Sequence, residues 1–212
     1  GVFLFKGNRY WLYDPHTYEL IEKEDKTDRT LTEISELLKT AVKIDAAFVD
    51  NKQNCVLIAG DMYIYKEKDD TVWKIKEDHQ WGKIDSSFDD LERIDAALTD
   101  KDGNVFLFSG GQYVRYSSNN YNHVDDGYPK SIAENWKNES VATALTEIFP
   151  QGVDGAFHGK DGNTYFFKGT TYFCPGQMSE PMDINGKWGH IENNLKETGT
   201  VDAAYDDGSQ YY

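Results

Sequence analysis

The segment Ile94-Asp-Ala-Ala-Leu-Thr-Asp-Lys-Asp-Gly-Asn-Val-Phe-Leu-Phe-Ser-Gly-Gly-Gln-Tyr-Val-Arg-Tyr116 contains three short apolar runs separated by two turns. The first turn carries Asp-Gly-Asn at 102–104, which is typical of tight β-hairpins, and the second carries Gly110. The runs are rich in Val, Phe and Tyr, residues that favour strands over helices. The segment therefore predicts three consecutive antiparallel strands.

The same pattern recurs along the chain. Its first part, an apolar residue followed by Asp-Ala-Ala or Asp-Gly-Ala, occurs at 44–48, 94–98, 153–157 and 201–205. Three of the aspartates are followed 15 residues later by the first residue of a Gly-x-x-Tyr motif, at Gly60, Gly110 and Gly169. A period near 50 residues is typical of the blades of a β-propeller. The sequence thus predicts an all-β, four-bladed β-propeller.

The two ends of the chain predict how the ring closes. The fourth repeat starts at Val201 and stops before its second strand, whereas residues 2–5 resemble a second strand that lacks a first. We expect one propeller domain over 1–212, with the C-terminal strand joining the N-terminal blade. The expected blades are 1–43 plus 201–212, 44–93, 94–152 and 153–200. A slice of a longer tandem array is the alternative. Weaker helical patterns at 32–39, 86–93 and 129–136 predict short peripheral helices.

Charge and composition restrict the partners. The chain has 22 basic and 37 acidic residues, a net charge of −15, which argues against nucleic acid. A cationic small molecule, a glycan or a protein remains as a partner, although the acidity could serve solubility alone. No apolar run reaches about 18 residues, so no membrane span is expected. The same acidity, with two cysteines that we expect to be free thiols, favours a cytoplasmic setting over secretion.

Motifs of catalysis are missing from the sequence. The histidines are scattered, and no His-Glu-x-x-His, Cys-x-x-Cys or Gly-x-Ser-x-Gly motif occurs. The sequence therefore predicts a protein that is not an enzyme. The histidines are His16, His79, His123, His158 and His190.

Small residues in the four repeated steps suit strands that converge on an axis. We expect Ala47, Ala97, Ala156 and Ala204 to line a narrow central tunnel. A ring of main-chain carbonyl oxygens in such a tunnel would suit Ca²⁺ or Na⁺, and a ring of N–H groups would suit chloride or water.

Together these residues resemble the hemopexin-like repeat family. The resemblance lies in the four aspartate steps, in Phe3-Leu-Phe-Lys-Gly-Asn-Arg-Tyr10, in 106–116 and in 127–132. It implies a four-bladed propeller around an ion-containing tunnel, with a cation held by the main-chain carbonyls of Asp45, Asp95, Asp154 and Asp202. The alternative is that these aspartates only fix strand ends and water fills the tunnel. Many members join the first and last blades by a disulfide, whereas Cys55 and Cys174 fall in opposite blades, too far apart to bond.

The resemblance also implies a set of functions. The first is a non-catalytic module that binds a ligand or a protein partner. A second is a haem- or polyamine-binding protein similar to seed albumins, in which a homodimer would supply the second propeller for haem. A third is a lectin with repeated carbohydrate sites. His158 and His190 are the candidate haem ligands, and solvated loop positions are the alternative for them. We expect Trp81 and Trp188 to be packing anchors, and sugar-stacking platforms are the alternative.

Overall fold

The computed structural model describes residues 1–6, 9–21, 29–30, 43–60, 62–70, 73–76, 94–117, 124–136, 149, 152–184, 188 and 200–206. These residues form an all-β arrangement of four antiparallel sheets, each with four strands. The first sheet contains β1 (Val2–Lys6), β2 (Arg9–Tyr13) and β3 (Arg29–Thr30), and the second contains β4 (Ala46–Val49), β5 (Cys55–Ala59), β6 (Met62–Lys66) and β7 (Lys74–Lys76). The third contains β8 (Ala96–Thr99), β9 (Val105–Ser109), β10 (Gln112–Tyr116) and β11 (Lys130–Ser131). The fourth contains β12 (Gly155–His158), β13 (Thr164–Lys168), β14 (Thr171–Phe173) and β15 (Met182–Asp183), and β16 (Ala203–Asp206) completes the first sheet.

The C-terminal strand pairs with the N-terminal strand, as the incomplete repeats predicted. Strand β16 lies antiparallel to β1, with Phe3 opposite Tyr205 and Leu4 opposite Ala204. The sheet order is β16-β1-β2-β3, so the tail occupies the position that β4, β8 and β12 hold in the other sheets. Each sheet therefore begins with a strand from one of the four repeated steps.

Tight turns join the first and second strands of the second, third and fourth sheets. In the third sheet, Asp100 Oδ1 accepts hydrogen bonds from the main-chain N–H groups of Asp102 and Asn104, both at 2.9 Å. Gly103 adopts a φ of 79°, a left-handed conformation that glycine reaches without steric cost. Gly162 occupies the same place in the fourth sheet with a φ of 80°. The Asp-Gly-Asn turns are thus the hairpin turns that the sequence predicted.

Four hydrophobic clusters lie between neighbouring sheets. Ala46 and Phe48 pack with Leu107 and Val114 of the third sheet. Ala47 lies on the opposite face, where it packs with residues of the first sheet such as Phe5. The four strands formed by the repeated steps, β4, β8, β12 and β16, are called the inner strands below. Because successive residues of a strand face opposite sides, each inner strand contributes to the clusters on both of its flanks. The inner strands contact one another in the cyclic order β4, β8, β12, β16 and back to β4.

Helix is almost absent from the described residues. The one helix among them is α1 (Ile132–Asn135), so the predicted helix at 129–136 consists of the short strand β11 followed by a single helical turn. Ser131 caps this turn, because its side chain accepts from the N–H of Glu134. The predicted helices at 32–39 and 86–93 lie outside the described residues. No helix in the described part of the chain is long and apolar enough to cross a membrane.

Two further predictions concern single side chains. Cys55, on β5, and the buried Cys174, after β14, are not joined by a disulfide. Trp188 is buried in the cluster between the first and fourth sheets, edge-on to Tyr13 at 5.4 Å between ring centroids. Trp188 is therefore a packing anchor, and Trp81 lies outside the described residues.

Candidate functional site: two cavities at the ends of the inner strands

The four repeated aspartates come together at one cavity. Each stands directly before an inner strand, and together they line a space of about 240 Å³. Lys6, Lys43 and Thr200 complete its polar lining. The sequence repeat therefore corresponds to a spatial cluster, formed where the four inner strands begin.

Each aspartate makes the same main-chain contact. Its N–H donates to a carbonyl of the neighbouring second strand at 2.8–2.9 Å, and the acceptors are Ile58, Phe108, Phe167 and Phe5. In three repeats, Oδ2 also accepts from the N–H of the turn glycine, Gly60, Gly110 or Gly169, at 2.7–2.8 Å. These bonds explain the repeated separation of 15 residues. They are contacts that fix the strand ends, the role expected of these aspartates if the tunnel holds no ion. They are also compatible with a carbonyl-bound ion, because they use the main-chain N–H and the carboxylate and not the carbonyl oxygen.

Lysines neutralise part of this acidic cluster. Lys43 Nζ lies 3.2 Å from Asp45 Oδ1, and Lys6 Nζ lies 3.3 Å from Asp202 Oδ1. Lys168 Nζ lies 2.6 Å from Asp154 Oδ1. Each carboxylate therefore has at least one glycine N–H or ammonium partner, which makes the main-chain oxygens the candidate ligands of a cation.

The main-chain oxygens fit that role. Within the described part of the chain, the carbonyl oxygens of Asp45 and Asp154 accept no hydrogen bond. Carbonyl oxygens are hard ligands of the kind that Ca²⁺ prefers. Among the described residues there is no cluster of three or more His, Cys, Asp or Glu side chains that could hold a metal ion. A cation at this level would therefore rely on the main chain.

The predicted tunnel-lining alanines are all buried. Their exposed fractions are 0% or 1%, and each belongs to a different hydrophobic cluster; they are Ala47, Ala97, Ala156 and Ala204. Their small size allows the inner strands to approach, as the sequence suggested. Their place along a tunnel remains a prediction.

A second cavity lies at the other ends of the inner strands. It has a volume of about 360 Å³ and is lined by the last residue of each inner strand, Val49, Thr99, His158 and Asp206. Because the starts share one cavity and the ends share another, the four inner strands run in the same direction. Sequence analysis missed this cavity. The available signal was the position four residues after each repeated aspartate, where the repeat carries four different residue types.

His158 is held in place at this second cavity. Its Nδ1 lies 3.1 Å from the hydroxyl oxygen of Thr164 on the paired strand. Burial lowers the pKa of His158 below its usual value, although nearby carboxylates partly oppose the effect. His16 is exposed and does not line this cavity. The candidate haem ligands were His158 and His190, and of these two only His158 is among the described residues. His79, His123 and His190 lie outside the described residues.

Comparisons with known proteins agree with this architecture. A family model described as hemopexin matches residues 94–138, which include the segment with which the repeat was defined. The chain has a hemopexin-like fold. The hemopexin-fold protein CP4 from cow pea is 21% identical, with 88% of this chain and 89% of that chain covered and a TM-score of 0.65.

Two other solved structures resemble this hemopexin-like chain. A 2S albumin seed protein from Dolichos is 21% identical, covers 88% of this chain and 90% of its own, and has a TM-score of 0.61. A plant lectin with two metal binding sites from Cicer arietinum is 22% identical, covers 88% and 89%, and has a TM-score of 0.57. No curated protein sequence matches the chain.

Proposed function

We propose that the protein is a non-catalytic binding module, a four-bladed propeller whose central tunnel holds a cation such as Ca²⁺ or Na⁺. The gathering of Asp45, Asp95, Asp154 and Asp202 around one cavity carries this proposal. The cyclic contacts of the inner strands and the four inter-sheet clusters support a closed ring. The seed albumin, lectin and hemopexin-fold neighbours support a binding role without catalysis.

The charge of the molecule supports a cation over a polyanion. The net charge is −15, and the carbonyl oxygens of Asp45 and Asp154 have no hydrogen-bond donor in the described part of the chain. A bound cation would give these oxygens a partner. An anion such as chloride would instead need the N–H groups of the inner strands.

Metal depletion tests this function. Protein treated exhaustively with a chelator should contain no tightly bound metal, and addition of Ca²⁺ should raise its melting temperature by mass action. The matched control adds Mg²⁺, which is smaller and dehydrates reluctantly, so it should have less effect. Elemental analysis before and after depletion gives the stoichiometry, expected to be one ion per chain. Identical melting curves with and without Ca²⁺ or Na⁺ would contradict the tunnel site.

A ligand beyond the tunnel ion is a second part of the proposal. Among cationic small molecules, a polyamine would suit the acidic cavity, and haem is the alternative within the same seed-albumin-like function. A glycan is the second candidate, since one neighbour of the same fold is a plant lectin. Calorimetric titration with spermine and with a panel of simple sugars distinguishes them. Saturation by a sugar alone would favour the lectin.

A further inference from the structure

The second cavity differs from the first in its symmetry. At the cavity where the strands begin, all four repeats place an aspartate. Each donates its N–H to the paired second strand, and three of them also accept from the turn glycine of their own sheet. At the cavity where the strands end, the equivalent positions carry Val49, Thr99, His158 and Asp206. A residue that serves only the repeat architecture tends to recur in every repeat. The four different residues therefore suit the recognition of one asymmetric ligand.

The groups that this cavity offers to a ligand are mostly donors. Lys160 is exposed, and no hydrogen bond or ion pair engages its ammonium group within the described residues. Lys101 reaches the same space from the turn after β8 and contacts Asp102 at 2.8 Å. With Nδ1 of His158 at Thr164, the Nε2 atom is the ring nitrogen left for a ligand. Gln53 adds an exposed amide.

The two acidic residues of the lining are less available. Both carboxylate oxygens of Asp100 already accept hydrogen bonds from its own turn, at 2.9 Å from the Asp102 N–H, the Asn104 N–H and the Asn104 side-chain amide. The Asp206 side chain is only 5% exposed. The ammonium groups of Lys101 and Lys160 are therefore the most exposed charges of this lining. Apolar contact comes from Val49 and from the methyl group of Thr99, whose hydroxyl donates to the Val49 carbonyl.

From this arrangement we propose that the cavity at the ends of the inner strands binds a small organic carboxylate. The carboxylate group pairs with the Lys160 ammonium and with the His158 ring nitrogen, and the carbon chain lies against Val49 and Thr99. Lys101 adds a second positive charge at the rim. A volume of about 360 Å³ accommodates a molecule of a few carbon atoms. This site uses none of the aspartates of the tunnel proposal, so either proposal can fail alone.

Three four-carbon probes test the charge requirement directly. Succinate, succinamide and 1,4-diaminobutane have similar length and are dianionic, neutral and dicationic. Each is titrated up to ~20 mM, a range that reaches weak millimolar affinities, while the ring resonances of His158 are followed by NMR. Only succinate should shift these resonances saturably. Inorganic phosphate, in a separate arm, distinguishes a carboxylate site from a general anion site and should bind more weakly, because it has no apolar part.

The pKa of His158 is a second measurement of binding, and it should not change if Lys160 has only a structural role. Asp100, Asp161, Asp206 and Lys101 are the charged groups whose fields act on this histidine. Succinate beside the ring should raise its pKa, because an added negative charge favours the imidazolium form. The variant Lys160→Gln should weaken succinate binding on the order of threefold to tenfold, as expected for loss of a partly exposed charge-assisted bond.

The matched control is Lys52→Gln. Lys52 stands in the corresponding turn of the second sheet, is exposed and does not line the cavity. Like Lys160→Gln, the Lys52→Gln variant removes one positive charge from the molecule. Because that charge does not line the cavity, the succinate affinity should change by less than about twofold. The proposal is wrong if the diamine shifts the His158 resonances and succinate does not. It is also wrong if no probe produces a saturable shift, or if Lys160→Gln and Lys52→Gln behave alike. Phosphate binding as tightly as succinate would overturn the carboxylate assignment.

Discussion

The carboxylate of Asp45 accepts a hydrogen bond from the main-chain N–H of Gly60 at 2.8 Å, across 15 residues of chain. This bond ties the start of an inner strand to the turn between the second and third strands of the same sheet. Asp95 with Gly110, and Asp154 with Gly169, repeat it at 2.7 and 2.8 Å. The repeated aspartate thus stabilises each sheet before any ligand is considered.

Replacement of Asp45 by alanine should destabilise the fold. The variant removes a charge-assisted acceptor from the Gly60 N–H, and such bonds contribute about 1.5–3 kcal/mol. The Asp45→Asn variant keeps a side-chain oxygen and should lose less, because its amide oxygen can still accept from Gly60. Urea unfolding measures both.

The control for this pair is Asp126→Ala. Asp126 is exposed, and its removal should change the free energy of unfolding by no more than about 0.5 kcal/mol. Equal losses for Asp126→Ala and Asp45→Ala would mean that the Gly60 bond contributes nothing specific.

Much of this architecture could be predicted from the sequence, because the spacing of the repeated residues results from hydrogen bonds within each sheet. The separation between Asp45 and Gly60 reflects one hairpin, and the incomplete repeat at Val201 correctly predicted the pairing of β16 with β1. The second cavity could not be predicted in this way. His158 and Asp206 depart from the repeat, and only the common direction of the inner strands brings them together. The signal lies in the comparison of the four equivalent positions, and no single one of these residues shows which others lie beside it.

Close approach of two main chains makes Gly152 the most sensitive glycine among those described. A Cβ atom at position 152 would lie 1.8 Å from the carbonyl oxygen of Gly110, in the turn between β9 and β10. The Gly152→Ala variant must therefore move one main chain away from the other. We expect a loss of about 3–5 kcal/mol in the free energy of unfolding, the range of severe steric defects.

Gly127→Ala separates the steric clash from the conformational cost. Gly127 has a φ of 82°, close to the 89° of Gly152, but a Cβ there would meet nothing within 4 Å. The free energy of unfolding of this variant should fall by only about 1–2 kcal/mol, the strain of alanine in the left-handed conformation. If both variants lost the same amount, the predicted contact between Gly152 and Gly110 would be wrong.

Protonation of His158 should make the stability depend on pH. Burial lowers the pKa of this histidine below 6.5, so the unfolded chain binds more protons at pH values between the two pKa values. The free energy of unfolding should therefore be fully retained above about pH 6.5 and should fall as the pH decreases below it. Urea unfolding at several pH values between about 5 and 8 measures this slope, which cannot exceed about 1.36 kcal/mol per pH unit for one proton.

The His158→Gln variant should flatten this slope, because glutamine does not titrate. The matched control is His16→Gln, which changes an exposed turn residue and should leave the slope of the parent protein. A slope that persists in His158→Gln would assign the pH dependence to another group.

Replacement of Gln53 by glycine should stabilise the protein. It adopts a φ of 66° in the turn between β4 and β5, where the third and fourth sheets have Gly103 and Gly162. This conformation destabilises a non-glycine residue by about 1–2 kcal/mol, and glycine avoids that strain. Glycine also makes the unfolded chain more flexible, which costs about 0.5–1 kcal/mol. The Gln53→Gly variant should therefore raise the free energy of unfolding by about 0.5–1 kcal/mol. The control is Lys52→Gly, at a residue of the same turn that has no positive φ. This variant should lower the free energy of unfolding. Thermal and urea unfolding of the two variants compare them directly.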